Sequence, residues 1–241
     1  MPVLVVTVVA QHPPSSSDQS VTEDLSQGRT FTFTIAPKLP AFIFKLIPLL
    51  QPPDEFGNAQ STIRDIEVYR ENSKQAFQHL TGCDLKGMVP PGSGAEFFRT
   101  VDINFDGYND IFLETLHGAT GNESGCVWLY NPTAEHFEYS KEFSSLSSFS
   151  LDPGRKIIFT FATGGMLGLV HNAKEFRVEN NHPVIIWSEV QDWDNSKNQL
   201  HCIVKERRGT EMAVVRDTWS KLRDDKNPPC DPKSAVQFNP R

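Results

Sequence analysis

Nine consecutive residues hold the densest chemistry in this sequence: Asp102-Ile103-Asn104-Phe105-Asp106-Gly107-Tyr108-Asn109-Asp110. Oxygen-bearing side chains stand at positions 1, 3, 5 and 9 of the stretch, and a glycine stands at position 6. Calcium is a hard cation that takes about six to eight oxygen ligands, so a short loop serving it supplies oxygens at alternate positions. Such a loop also turns sharply at its sixth residue, where a side chain is expected to clash. The expected ligands are the side chains of Asp102, Asn104 and Asp106, the carbonyl of Tyr108, and Asp110 directly or through water. A helix-loop-helix site would add a bidentate Glu at position 12; Leu113 stands there, with Glu114 one place later. The flanks, Val101 and Ile111-Phe112-Leu113, are apolar and β-prone, so the loop is expected to join two strands. A turn rich in Asp, Asn and Gly that binds nothing is the plain alternative. The spacing of the oxygens around the glycine favours a metal.

Elsewhere the reactive residue types are scattered. Seven histidines (His12, His79, His117, His136, His171, His182 and His201) form no His-Glu-x-x-His pair and no zinc spacing. His117 follows the strand expected after the loop and is the histidine placed to approach it. No Gly-x-Ser-x-Gly elbow occurs, and Ser93 in Pro91-Gly92-Ser93-Gly94 reads as a turn. No Gly-rich phosphate loop is present. A second oxygen-rich stretch, Asp192-Trp193-Asp194-Asn195-Ser196-Lys197-Asn198, lacks the sixth-position glycine and reads as an Asx turn. Trp193 beside it offers a sugar-stacking ring, whereas Trp128 and Trp187 read as core. No catalytic constellation emerges, and a non-enzymatic role is expected.

The elements that must position the loop are strands. Thr30-Phe31-Thr32-Phe33-Thr34-Ile35 alternates polar and apolar residues, the signature of a half-buried strand. The run 41–50 is more continuously apolar, and Pro48 excludes a long helix there. Hairpin-like units follow at 63–80, around the loop itself, and at 126–139, 175–187 and 203–215. Each is a strand, a short polar turn and a strand rich in aromatic or β-branched residues. Residues 144–150 interrupt the pattern with serines. No sustained 3.6-residue periodicity occurs, so the expected fold is all-β, built of antiparallel hairpins as a small β-propeller-like domain or, alternatively, a β-sandwich.

Length and composition set the frame. The 241 residues suit one sizeable domain, and a net charge of −7 argues against a nucleic-acid or anionic-membrane partner. Cys83, Cys126, Cys202 and Cys230 have no metal-site spacing and admit two disulfides in any of three pairings. The apolar run 3–10 is too short to span a bilayer and reads as the end of an export signal. The expected organisation is a leader at 1–28, an all-β calcium-binding domain at 29–226 and an irregular tail at 227–241.

Several stretches together carry a family resemblance. They are the loop, the run Val127-Trp128-Leu129-Tyr130-Asn131-Pro132 with Phe137, Asp152 ahead of Arg155-Lys156-Ile157-Ile158, and the hairpin at 176–181. The loop resembles the calcium loops of FG-GAP/VCBS-type β-propeller repeats. The wider pattern, from about 63 to 216, is similar to bacterial envelope immunity proteins that neutralise a peptidoglycan-hydrolase effector of type IV secretion systems. The resemblance implies a periplasmic or secreted, calcium-bearing, propeller-like protein that acts by binding a lysozyme-type hydrolase. The sequence departs from the pattern in having no lipobox cysteine near its start. The 118–125 loop, with Asn122 and Ser124, holds no catalytic or inhibitory signature. Glycan binding is the alternative expectation.

Overall fold

Two-residue alternation governs the chain, and it folds into three antiparallel meanders. The computed structural model describes residues 21–24, 28–51, 60–85, 97–221 and 230. The first sheet runs β1 (Val21–Asp24), β2 (Gly28–Phe33), β3 (Phe42–Gln51), β4 (Gln60–Arg70) and β5 (Gln78–His79). The second runs β6 (Phe98–Val101), β7 (Asp110–His117), β8 (Glu123–Asn131) and β9 (His136–Tyr139). One helical turn, α1 (Lys141–Ser144), is capped by the Ser140 side chain and buries Phe143. The third sheet runs β10 (Phe149–Asp152), β11 (Ile157–Gly165), β12 (Val170–Glu179), β13 (His182–Asp194), β14 (Gln199–Arg208) and β15 (Glu211–Ser220).

Each sheet lists its strands in chain order and stays open, because its first and last strands do not pair with each other. The all-β antiparallel expectation holds. A closed propeller is not what forms, and stacked open sheets satisfy the sandwich alternative equally well. The first sheet also starts inside the stretch read as leader, since Val21 to Asp24 pair with Phe31 to Gly28. The serine-rich interruption is shorter than expected: Phe149 already pairs with Thr160 in β11. Pro48 sits in β3 at a register shift, where the ladder does not need its missing N–H. The apolar run 3–10 and Ser93 lie outside the described residues.

The second sheet is the middle layer, and alternation sends its two faces to different cores. Ile111, Leu113, Cys126, Trp128 and Tyr130 join Phe31, Phe42, Phe44 and Ile66 of the first sheet. Phe112, Val127 and Leu129 join Phe143, Ile158 and Phe176 on the side of the third. A strand buried on both faces reads as a continuous apolar run, which is why 126–130 carries no polar position. Gly125 is needed for the same packing: a Cβ there would lie 2.4 Å from the Phe112 ring.

Side-chain amides stitch the layers together by imitating a β-ladder. Gln78 Nε2 donates to the Phe137 carbonyl at 2.6 Å and its Oε1 accepts from Phe137 N–H at 2.9 Å. Asn122 does the same to the carbonyl and N–H of Thr163, at 2.8 and 2.9 Å. The Trp128 indole donates to the Thr81 carbonyl at 2.8 Å, so this core tryptophan leaves no donor unpaired. Of the three disulfide pairings open to the sequence, the structure has Cys83–Cys126, which joins the first sheet's last turn to β8, and Cys202–Cys230.

Candidate metal centre

The 102–110 loop joins β6 to β7, as its apolar flanks predicted. It winds around its own carboxylates. Asp102 Oδ1 accepts from Asp106 N–H at 3.0 Å, and Oδ2 accepts from Gly107 N–H at 3.0 Å. Asp106 Oδ1 accepts from Tyr108 N–H at 2.9 Å, and Asn104 Oδ1 accepts from Asp106 N–H at 3.2 Å. Asp110 is fully buried; its oxygens accept from Ile103 N–H at 3.1 Å and Tyr130 N–H at 2.9 Å. Gly107 has φ 90°, and a Cβ built on it meets nothing within 4 Å. The expected clash is therefore absent; the left-handed backbone, not lack of space, selects glycine.

All three sheets meet at this loop. Asn109 donates its N–H to the Ile35 carbonyl at 2.8 Å and its side chain to the Thr34 carbonyl at 3.1 Å, both after β2. Asp110 holds β8 through Tyr130. Asn104 Nδ2 donates to Asn181 Oδ1 at 2.8 Å in the β12–β13 turn. The Lys156 ammonium donates to the Phe105 carbonyl at 3.3 Å from the β10–β11 turn.

The loop concentrates negative charge without balancing it. Among the described residues no Lys, Arg or His forms an ion pair with Asp102, Asp106 or Asp110. Burial, with the Asp106 and Asp102 charges adding to it, pushes the Asp110 carboxyl up to about 8 against the pull of its two backbone donors. Burial and the Asp106 charge also raise Asp102. A carboxylate offers about four lone-pair positions, so each hydrogen-bonded oxygen here keeps room for a cation. The donor set is all oxygen, and the residues fit a hard divalent ion.

The chain shares its fold with a secretion-related protein. The solved structure is described as a Xanthomonas type IV secretion system related protein; the similarity covers 82% of this chain and 98% of that one, with a TM-score of 0.53. At 17% identity the likeness is one of fold. No family model and no curated protein matches the sequence. Among the described residues no helix is long and apolar enough to cross a membrane.

The remaining sequence candidates fall away from the loop that these shared sheets carry. His117 lies at the other end of β7 from Asp110 and bonds Glu114 at 2.8 Å. Asp194 Oδ1 accepts from Ser196 N–H and Lys197 N–H, at 2.8 and 3.1 Å, and so caps an Asx turn as expected. Trp193 is half-buried, and Trp187 packs near the Cys202–Cys230 pair. Trp219, which sequence reasoning passed over, is exposed, but His201 stacks on its ring at 3.7 Å and the Lys197 ammonium sits 3.3 Å from its centroid. Groups of three His, Cys, Asp or Glu with ligand atoms within 4.8 Å occur elsewhere among the described residues, such as Asp65-Glu67-His79 on the first sheet. In the group that includes Cys230, the sulfur is already in a disulfide. Asn181 was also missed; its only sequence signal was a pair of asparagines in a turn.

Proposed function

We propose that this chain is a calcium-stiffened, non-enzymatic protein-interaction module of the bacterial envelope that inhibits a secreted peptidoglycan hydrolase. The observation that supports the reading most is the uncompensated Asp102, Asp106 and Asp110 cluster at a loop where three sheets meet. Asp102, Asn104, Asp106, Asp110 and the Tyr108 carbonyl would hold the ion. When bound, calcium supplies the positive charge that offsets repulsion between the buried Asp110 carboxylate and its partners Asp102 and Asp106. The chain's own groups do the rest. Asp110 fixes the loop on β8, Asn109 fixes it on the first sheet, and Asn104 and Phe105 fix it on the third. A surface loop on that scaffold then meets the partner without losing much conformational freedom.

Fold likeness to a type IV secretion system related protein favours a partner from that setting. Two disulfides suit an oxidising compartment such as the periplasm. The net charge of −7 suits a basic, wall-binding enzyme, with association slowed by salt.

Thermal unfolding with calcium and with chelator tests the reading, run beside inhibition of lysozyme-type effectors. Calcium at a hundred times its dissociation constant is expected to stabilise the fold by about 2.7 kcal/mol. The double substitution Asp102→Ala/Asp106→Ala abolishes that shift and weakens inhibition. If both stay unchanged, the reading falls. Binding to peptidoglycan fragments without any hydrolase bound would favour the glycan alternative.

A further inference from the structure

We propose that Asn181, in the turn between β12 and β13, is the positioning residue that keeps the Asn104 side-chain oxygen turned toward the ion site. The inference rests on the calcium reading above and extends the site to a residue 77 positions away. An asparagine amide can serve a cation only through its oxygen, and a half-turn of the amide presents the NH₂ instead. In Asn104 both amide hydrogens are engaged, one by Asp106 Oδ2 at 2.9 Å and one by Asn181 Oδ1 at 2.8 Å. Its oxygen accepts one bond, from Asp106 N–H at 3.2 Å, and an amide oxygen has a second lone pair to offer. Turning the amide over would set its oxygen against the Asp106 carboxylate, and against Asn181 Oδ1 as that amide stands. Asn104 is buried, so water does not compensate that loss.

Asp106 belongs to the loop and moves with it. Asn181 does not: it is anchored in the third sheet, and its φ of 65° is a left-handed conformation that asparagine tolerates. Neighbouring Asn180 has φ 52° and makes no such contact. Asn181 therefore does two things. It selects the oxygen-in orientation of Asn104, and it couples occupancy of the loop to the β12–β13 hairpin.

Titration calorimetry of the full chain with calcium chloride tests this, using Asn181→Gly, Asn181→Asp, Asn180→Gly and Asn104→Ala. Glycine keeps the left-handed backbone while deleting the amide, so the calcium-free melting temperature of Asn181→Gly is expected to stay near the parent value. Its calcium affinity is expected to fall about tenfold or more, the usual cost of losing an outer-shell partner. Asn181→Asp retains an acceptor for Asn104 and restores binding; Asn180→Gly binds as the parent does. The proposal is overturned if Asn181→Gly binds as tightly as the parent while Asn104→Ala does not, an outcome that leaves the calcium reading standing. It is also overturned if Asn180→Gly weakens binding equally, since the turn backbone would then be responsible. If the parent takes up no calcium at all, the calcium reading fails and this proposal with it.

Discussion

At the scale of single residues, Asp110 decides the most. Its carboxyl is fully buried, faces two other carboxylates, and among the described residues is compensated by two backbone N–H groups. Its folded-state pKa of about 8 lies above the unfolded value of about 4. Between those values the cation-free fold holds a proton that the unfolded chain has released. Stability is thus fullest below about pH 4 for this group and is lost as pH rises toward 8. Asp102, raised by burial, acts in the same direction. Asp152 and Asp194, lowered by hydrogen bonds from Arg155 and Ser196, act only below the ordinary carboxylate range. The expected outcome is a denaturation midpoint in chelator that falls from pH 5 to pH 8. With saturating calcium the slope flattens, because the ion takes the place of the proton. A midpoint in chelator that rises over this window would show that Asp110 is ionised without a cation.

At the scale of elements, the side-chain amides that bridge the layers matter more than any surface ion pair. Asn122 completes both backbone groups of Thr163 across the gap between the second and third sheets. Asn122→Ala would leave those groups unmatched at a part-buried seam, at a cost of about 1–3 kcal/mol. The urea midpoint is expected to drop accordingly while calcium affinity stays unchanged, since Asn122 lies before β8 and makes no contact with the 102–110 loop. A loss of calcium affinity in this variant would mean that the two seams are coupled. By contrast, Arg70–Glu135 is a half-exposed pair of little consequence.

At the scale of the whole molecule, the loop is a junction. Hydrogen bonds run from it to Thr34 and Ile35, to Tyr130, to Lys156 and to Asn181, so one site touches all three meanders. Hydrogen exchange in calcium and in chelator reads this directly. Protection of the Asn109 and Tyr130 amides is expected to fall together with that of the β12–β13 turn when calcium is removed. If exchange speeds up only within 102–110, the loop is a local feature and the sheets hold together by their apolar cores alone.

What the sequence determined by itself was local. Period-two alternation placed β2, and β8 was legible instead as a continuous apolar run, because a strand with one buried face alternates and a strand buried on both faces does not. The loop's oxygens were legible because they stand close together in the chain. Tertiary structure decided what depends on distance. Whether meanders are arranged in a closed ring or as stacked open sheets depends on how their faces pack against one another, and each strand's own pattern is the same in both cases. The disulfide pairing was undetermined among three options until β8 and the turn after β5 came together. The sharp turn at Gly107 was legible, but its left-handed backbone, not the clash expected there, is what selects glycine. Asn181 was invisible because a turn asparagine carries no mark of the residue 77 positions away that it will orient.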